Sequence, residues 1–177
     1  PGICRGVAID GDGNAWFGTF SGQTLYKVDG EETTPDGCVN PPCCKLLGTL
    51  NVGVQVYGMA IDGNGFLWTA SSPNTKKVNT ATMEVVDTVS HNRYYGIAMD
   101  QNNNVWLGSW SGSQTQQGVH RISASDHSVF YTGVLNVTAV TVDQDGYVWG
   151  SSYGTNEGVK IDPATGKPYG LDFPIIT

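Results

Sequence analysis

At 177 residues the chain is long enough for one domain with a real core. Its low charge content of 14%, set beside 24 glycines, favours a turn-rich all-β protein over a helical one. A formal net charge of −7 with nine basic residues argues against nucleic acid or an anionic membrane as partner, and no apolar run is long enough for insertion into a bilayer.

The chain opens at Pro1 without Met or a signal-peptide pattern and reads as a mature or excised piece of something longer. The first predicted strand, Val7–Asp10, turns at "GDGN" into a second, Ala15–Phe20. A third, "TLYKVD", follows. After the insertion 30–44, "GEETTPDGCVNPPCC", comes a fourth, "KLLGTL". The same unit then returns three times. The leading hairpins are "VAIDGDGNAWFG", "MAIDGNGFLWTA", "IAMDQNNNVWLG" and "VTVDQDGYVWGS". Third strands recur as "TKKVNT", "GVHRIS" and "GVKIDP", and fourth strands as "EVVDTVS", "SVFYTGV" and "YGLDFPI".

Asp10, Asp62, Asp100 and Asp143 share one register, and Trp16, Trp68, Trp106 and Trp149 follow six residues after each. The steps of 52, 38 and 43 residues, with several short strands per unit, are those of β-propeller blades. The expected fold is therefore an all-β propeller of four four-stranded antiparallel blades, either a closed ring or part of a larger one. Residues 1–177 form a single domain, with blades near 5–52, 53–91, 92–134 and 135–177. One four-stranded sheet exposes both faces, so the repetition is structural first, and the Trp series is expected to pack between blades. The Asp series is expected to accept hydrogen bonds from the turn amides. The same turns offer carboxylate and amide oxygens to Ca²⁺, but the full calcium-loop pattern is missing and ordinary turn chemistry is preferred. No other cofactor is expected.

Cys4, Cys38, Cys43 and Cys44 lack the paired spacing of a zinc site and are expected to form disulfides in an oxidising compartment. Cys38 bonding to Cys43 or Cys44 would close "VNPP" and leave Cys4 for the other; a vicinal Cys43–Cys44 bridge is strained. Lys27, Lys77, Arg121 and Lys160 share a register of the third strand and read as structural, pairing with Asp side chains or guarding an exposed strand. Asn136-Val137-Thr138 is a glycosylation triplet of little weight.

The stretches "GVAIDGDGNAWFG", "YGMAIDGNGFLW", "YGIAMDQNNNVWLG" and "GVKIDPATGKP" resemble the blades of streptogramin (virginiamycin B) lyase-like and NHL-type propellers. The resemblance covers nearly the whole chain outside the cysteine insertion. It implies a channel lined by the innermost strands, with ligands bound at one face. The inter-blade connections "ICRG", "VQVYG", "SHNRYYG" and "LNVTA" bring Arg5, Tyr57, His91, Arg93, Tyr94, Tyr95, Asn136 and Thr138 near the channel mouth.

Four residues after each Trp stand Phe20, Ser72, Trp110 and Tyr153, followed by loops rich in amides and hydroxyls. Aromatic faces beside such groups suit a sugar. Phe20, Trp110 and Tyr153 are the expected stacking residues, with Arg93, His91, Tyr94 and Asn74 as polar contacts. Lyases of this type use metal assistance with a histidine and an acidic group. Of the three histidines only His91 is suitably placed, since His120 and His127 fall in outer strands, and one histidine is not an active site.

The expected function is a recognition or adhesion module of an extracellular, cell-surface or periplasmic protein, binding carbohydrate or protein on the channel face. The alternatives are a metal-assisted lyase or hydrolase using His91, and a purely structural spacer. Four blades must close alone, pair with a second chain, or belong to a longer polypeptide, because open outer blades expose apolar faces.

Overall fold

A computed structural model describes residues 2–30, 44–90, 95–109, 118–134, 136–152, 157–168 and 173–174. Within these, sixteen strands follow one another without a helix. The first sheet runs in the order β1 (Cys4–Ile9), β2 (Ala15–Thr19), β3 (Thr24–Val28) and β4 (Leu46–Asn51). The second has β5 (Gln55–Ile61), β6 (Phe66–Ser72), β7 (Asn74–Asn79) and β8 (Glu84–Ser90). The third blade comprises β9 (Gly96–Met99), β10 (Val105–Ser109), β11 (Gly118–Ile122) and β12 (Val129–Tyr131). The fourth comprises β13 (Val137–Val142), β14 (Val148–Ser152), β15 (Glu157–Ile161) and β16 (Phe173–Pro174).

Pairing is antiparallel throughout, and the molecule is a β-propeller of four four-stranded blades. The third and fourth blades also join edge to edge. Pairing of β9 with β10 ends at Gly96↔Gly108, which leaves Ser109 to pair with Val137 of the next blade.

The leading hairpins share one local mechanism. Asp10 Oδ1 accepts the amides of Asp12 (3.1 Å) and Asn14 (2.9 Å), while its Oδ2 accepts the indole N–H of Trp16 at 2.9 Å. Asp62, Asp100 and Asp143 repeat this with Trp68, Trp106 and Trp149 at 3.0, 2.9 and 2.7 Å. The third turn residue needs a positive φ, met by Gly13, Gly65, Asn103 and Gly146, of which Asn is the side-chain-bearing residue that tolerates it best.

Packing between blades repeats as well. Trp16 belongs to a buried cluster with Met59, against which Ile61 packs; Ile97 and Met99 of the third blade pack against the cluster of Trp68, and Val140 and Val142 of the fourth against that of Trp106. Three of the four tryptophans that follow the turn Asp, Trp16, Trp68 and Trp106, are fully buried. The basic residue of each third strand lies opposite the Trp in register and over its ring, at 5.2 Å for Lys27, 4.9 Å for Lys77, 5.8 Å for Arg121 and 5.1 Å for Lys160.

Lys27 also pairs with Asp10 at 3.1 Å and donates to the Thr80 carbonyl of the next blade at 2.9 Å. Arg121 donates to the Pro163 carbonyl at 3.0 Å. At this register Lys27 ties the first blade to its own turn and to the second blade, and Arg121 ties the third blade to the fourth.

Innermost strands pack in sequence, β1 on β5, β5 on β9 and β9 on β13. Among the described residues no extended contact joins β13 back to β1, so the four blades form an open arc.

Candidate functional site

The innermost strands carry a β-bulge at one register, between Cys4 and Gly6, between Val56 and Gly58, and between Val137 and Ala139. The unpaired residue of each is Arg5, Tyr57 or Thr138. In the third blade Tyr95 holds the same place just ahead of β9, its N–H donating to the Gly108 carbonyl at 2.7 Å. A bulge bends the strand and re-aims a side chain, and these four all stand five residues before the turn Asp.

The glycine that follows in three blades lets the backbones close up. A Cβ on Gly58 would lie 2.9 Å from the Tyr95 carbonyl, and one on Gly96 would lie 2.6 Å from that of Thr138.

The re-aimed side chains meet across three blades. The Arg5 guanidinium carbon lies 4.5 Å from the Phe20 ring centre and 5.5 Å from that of Tyr57. Phe20 meets Tyr57 edge-on at 5.0 Å, and Tyr57 meets Tyr95 at 4.5 Å with planes tilted by 52°. The three rings are half-buried and Arg5 is exposed. Flat apolar faces, phenol groups and a guanidinium make this row suited to stacking and hydrogen bonding with a ligand. It contains no His or carboxylate.

Of the residues expected from sequence to bind, Phe20 lies in this row. Asn74 opens β7 half-buried; its backbone carbonyl accepts the Ser71 hydroxyl, and its amide enters no hydrogen bond with another described residue. His91, Arg93, Tyr94, Trp110 and Tyr153 lie outside the described residues. Tyr57, Tyr95 and Arg5 were placed near the channel by their connections, but their junction with Phe20 is a product of the fold. The available signal was a large side chain followed by Gly, five residues before the turn Asp in three of the four repeats.

The outer histidines have structural surroundings. His120 is buried in β11 with its ring 5.0 Å from Tyr131. His127 bonds Asp87, approaches Lys77 Nζ at 3.4 Å and meets Trp68 edge-on at 5.2 Å, bridging the second and third blades.

Cys4 and Cys44 are exposed free thiols, so neither carries the expected disulfide; Cys38 and Cys43 lie outside the described residues. The physical reason is distance in the fold: Cys4 begins the innermost strand, whereas Cys44 leads into the outermost strand of the same blade.

Two of the turn carboxylates, Asp10 and Asp143, are shifted by their partners. Burial works against the Asp10 carboxylate, but the Trp16 indole, the Asn14 amide and Lys27 outweigh it and hold its pKa down at about 2. Asp143 is lowered too, first by the Trp149 indole. Among the described residues no group of three or more His, Cys, Asp or Glu side chains is placed to hold a metal ion; His91 lies outside them.

Residues 88–111 match the family model for a two-component regulator propeller. The fold is shared with several solved structures at low identity. Hydrazine synthase of Kuenenia stuttgartiensis superposes with a TM-score of 0.76 at 16% identity, covering 96% of this chain and 48% of that one. Virginiamycin B lyase of Staphylococcus aureus gives 0.63 at 16%, covering 91% and 53%. The extracellular domain of a putative hybrid two-component system of B. thetaiotaomicron gives 0.65 at 17%, covering 99% of this chain and 22% of that one.

Thus the chain spans about half the length of the first two. A stretch of 30 residues is 67% identical to homoserine O-acetyltransferase of Moorella thermoacetica. It covers only 8% of that enzyme, and no function passes across so short a match. These likenesses show the β-propeller fold.

Proposed function

We propose, with that propeller as the premise, that the chain is an extracytoplasmic recognition module whose channel face binds carbohydrate. The supporting observation is the row Arg5–Phe20–Tyr57–Tyr95, three rings in edge-on and tilted contact and a guanidinium, contributed by three successive blades. Rings of this kind receive the C–H faces of a sugar, and the guanidinium and phenols serve its hydroxyls. His91, Arg93, Tyr94, Trp110 and Tyr153 would extend the same face, with Asn74 as a further polar contact. An extracellular, cell-surface or periplasmic setting agrees with the regulator-type family match and with a neighbour that is an extracellular domain.

The test is a tryptophan-fluorescence titration of the chain against a panel of glycans, repeated with Tyr57→Ala. Saturable binding to some glycans, weakened about tenfold or more in the variant, is expected. Absence of saturable change with every glycan would overturn the carbohydrate reading, and equal binding by Tyr57→Ala would move the site away from this row.

A further inference from the structure

The four side chains at the bulge register differ in charge. Tyr57, Tyr95 and Thr138 are neutral, whereas Arg5 is a permanent cation. Its guanidinium lies over the Phe20 ring at 4.5 Å and the Tyr57 ring at 5.5 Å, and the residue is exposed. A guanidinium that meets a ring through its face keeps its in-plane N–H donors for an acceptor beside the ring. Among the described residues no carboxylate pairs with Arg5.

Charge is divided between the two ends of the blades. The described connections at the end of Arg5, residues 20–23, 52–54 and 132–134, contain no Asp or Glu, and neither does the sequence of the others, 91–95, 110–117 and 153–156. Glu157, at the start of β15, is the described carboxylate at that end, on the third strand of the fourth blade. The opposite end holds the turn carboxylates Asp10, Asp62, Asp100 and Asp143, each bound to its own turn. In a chain of net charge −7, the end that bears the aromatic row is thus the one where an anion meets a cation and little repulsion.

We propose that the ligand of this row is an acidic sugar, a uronic acid residue whose carboxylate is held by Arg5 while its ring lies against Tyr57 and Tyr95. The inference rests on the carbohydrate reading above and adds the charge of the sugar. Two coplanar carboxylate oxygens match two parallel N–H groups of a guanidinium, and a guanidinium already laid on a ring loses less freedom on binding.

Isothermal titration calorimetry tests this with oligomers of galacturonic, glucuronic and mannuronic acid, each beside the same oligomer after carboxyl reduction to the neutral sugar. At least one acid form is expected to bind about tenfold or more tighter than its reduced form. Arg5→Gln is expected to remove that preference, and Arg5→Lys to keep only part of it, since an ammonium has no planar pair of donors. Lys76→Gln, which removes the cation that meets the Thr88 hydroxyl on β8, keeps the preference in full. Near-UV circular dichroism confirms that each variant is folded.

Equal binding of acid and reduced forms, or binding confined to neutral glycans, overturns the acidic-sugar inference and leaves the carbohydrate reading standing. A preference that persists in Arg5→Gln overturns the role of Arg5. Binding of 4-hydroxybenzoate, a ring carboxylate without a sugar, in place of the oligouronates overturns the inference as well. No binding by any sugar, acidic or neutral, overturns both readings.

Discussion

The carboxylate of Asp10 receives two backbone amides, an indole N–H and a lysine ammonium while only 6% of the residue is exposed. A pKa of about 2 against 3.8 for the unfolded chain means that its ionised form is bound by the fold. The stabilisation is fully present above the unfolded value and is lost as pH falls from there through the folded one. It amounts to about 2 kcal/mol. Thermal unfolding followed from about pH 5 down to about pH 2 is therefore expected to show a falling midpoint, with a flatter dependence in Asp10→Asn. An unchanged slope in the variant would place the acid sensitivity elsewhere. The repeated Asp-to-Trp spacing was visible in the sequence. The lysine over the ring was visible only as a register, because its direction is set by cross-strand pairing.

Among the elements, the innermost strands bear the tightest constraint. β9 and β13 approach so closely that a Cβ on Gly96 would sit 2.6 Å from the Thr138 carbonyl and 2.8 Å from the Ala139 Cα. Backbone cannot yield as a flexible side chain would, so Gly96→Ala is expected to cost about 2 kcal/mol or more. Gly11→Ala, with nothing within 4 Å, is expected to stay within about 0.5 kcal/mol of the parent. Denaturant midpoints of the two variants measure this directly, and comparable losses would refute the close-approach account. Because the bulge residues Tyr57 and Thr138 stand beside these approaches, the packing that tolerates only glycine also aims the candidate binding row.

For the molecule as a whole, burial is set by the neighbouring blade and not by the repeat. Trp16, Trp68 and Trp106 lie buried between blades, and Met59 is buried on the second blade, whereas Val7, at the register of Met59 on the first blade, is exposed. That difference was not legible in the repeat, because both positions are apolar.

The sequence by itself determined the repeated hairpin, its Asp-centred turn, the alternation of strands and the propeller that they build, because each depends on residues within about a dozen positions of one another. The tertiary structure decided the rest. Bulges shift the side-chain alternation where blades approach, which brought Arg5, Phe20, Tyr57 and Tyr95 into one row from three successive blades. The fold likewise separated Cys4 from Cys44 and left Trp149 half-covered, since burial is a property of the neighbouring blade and not of the repeat.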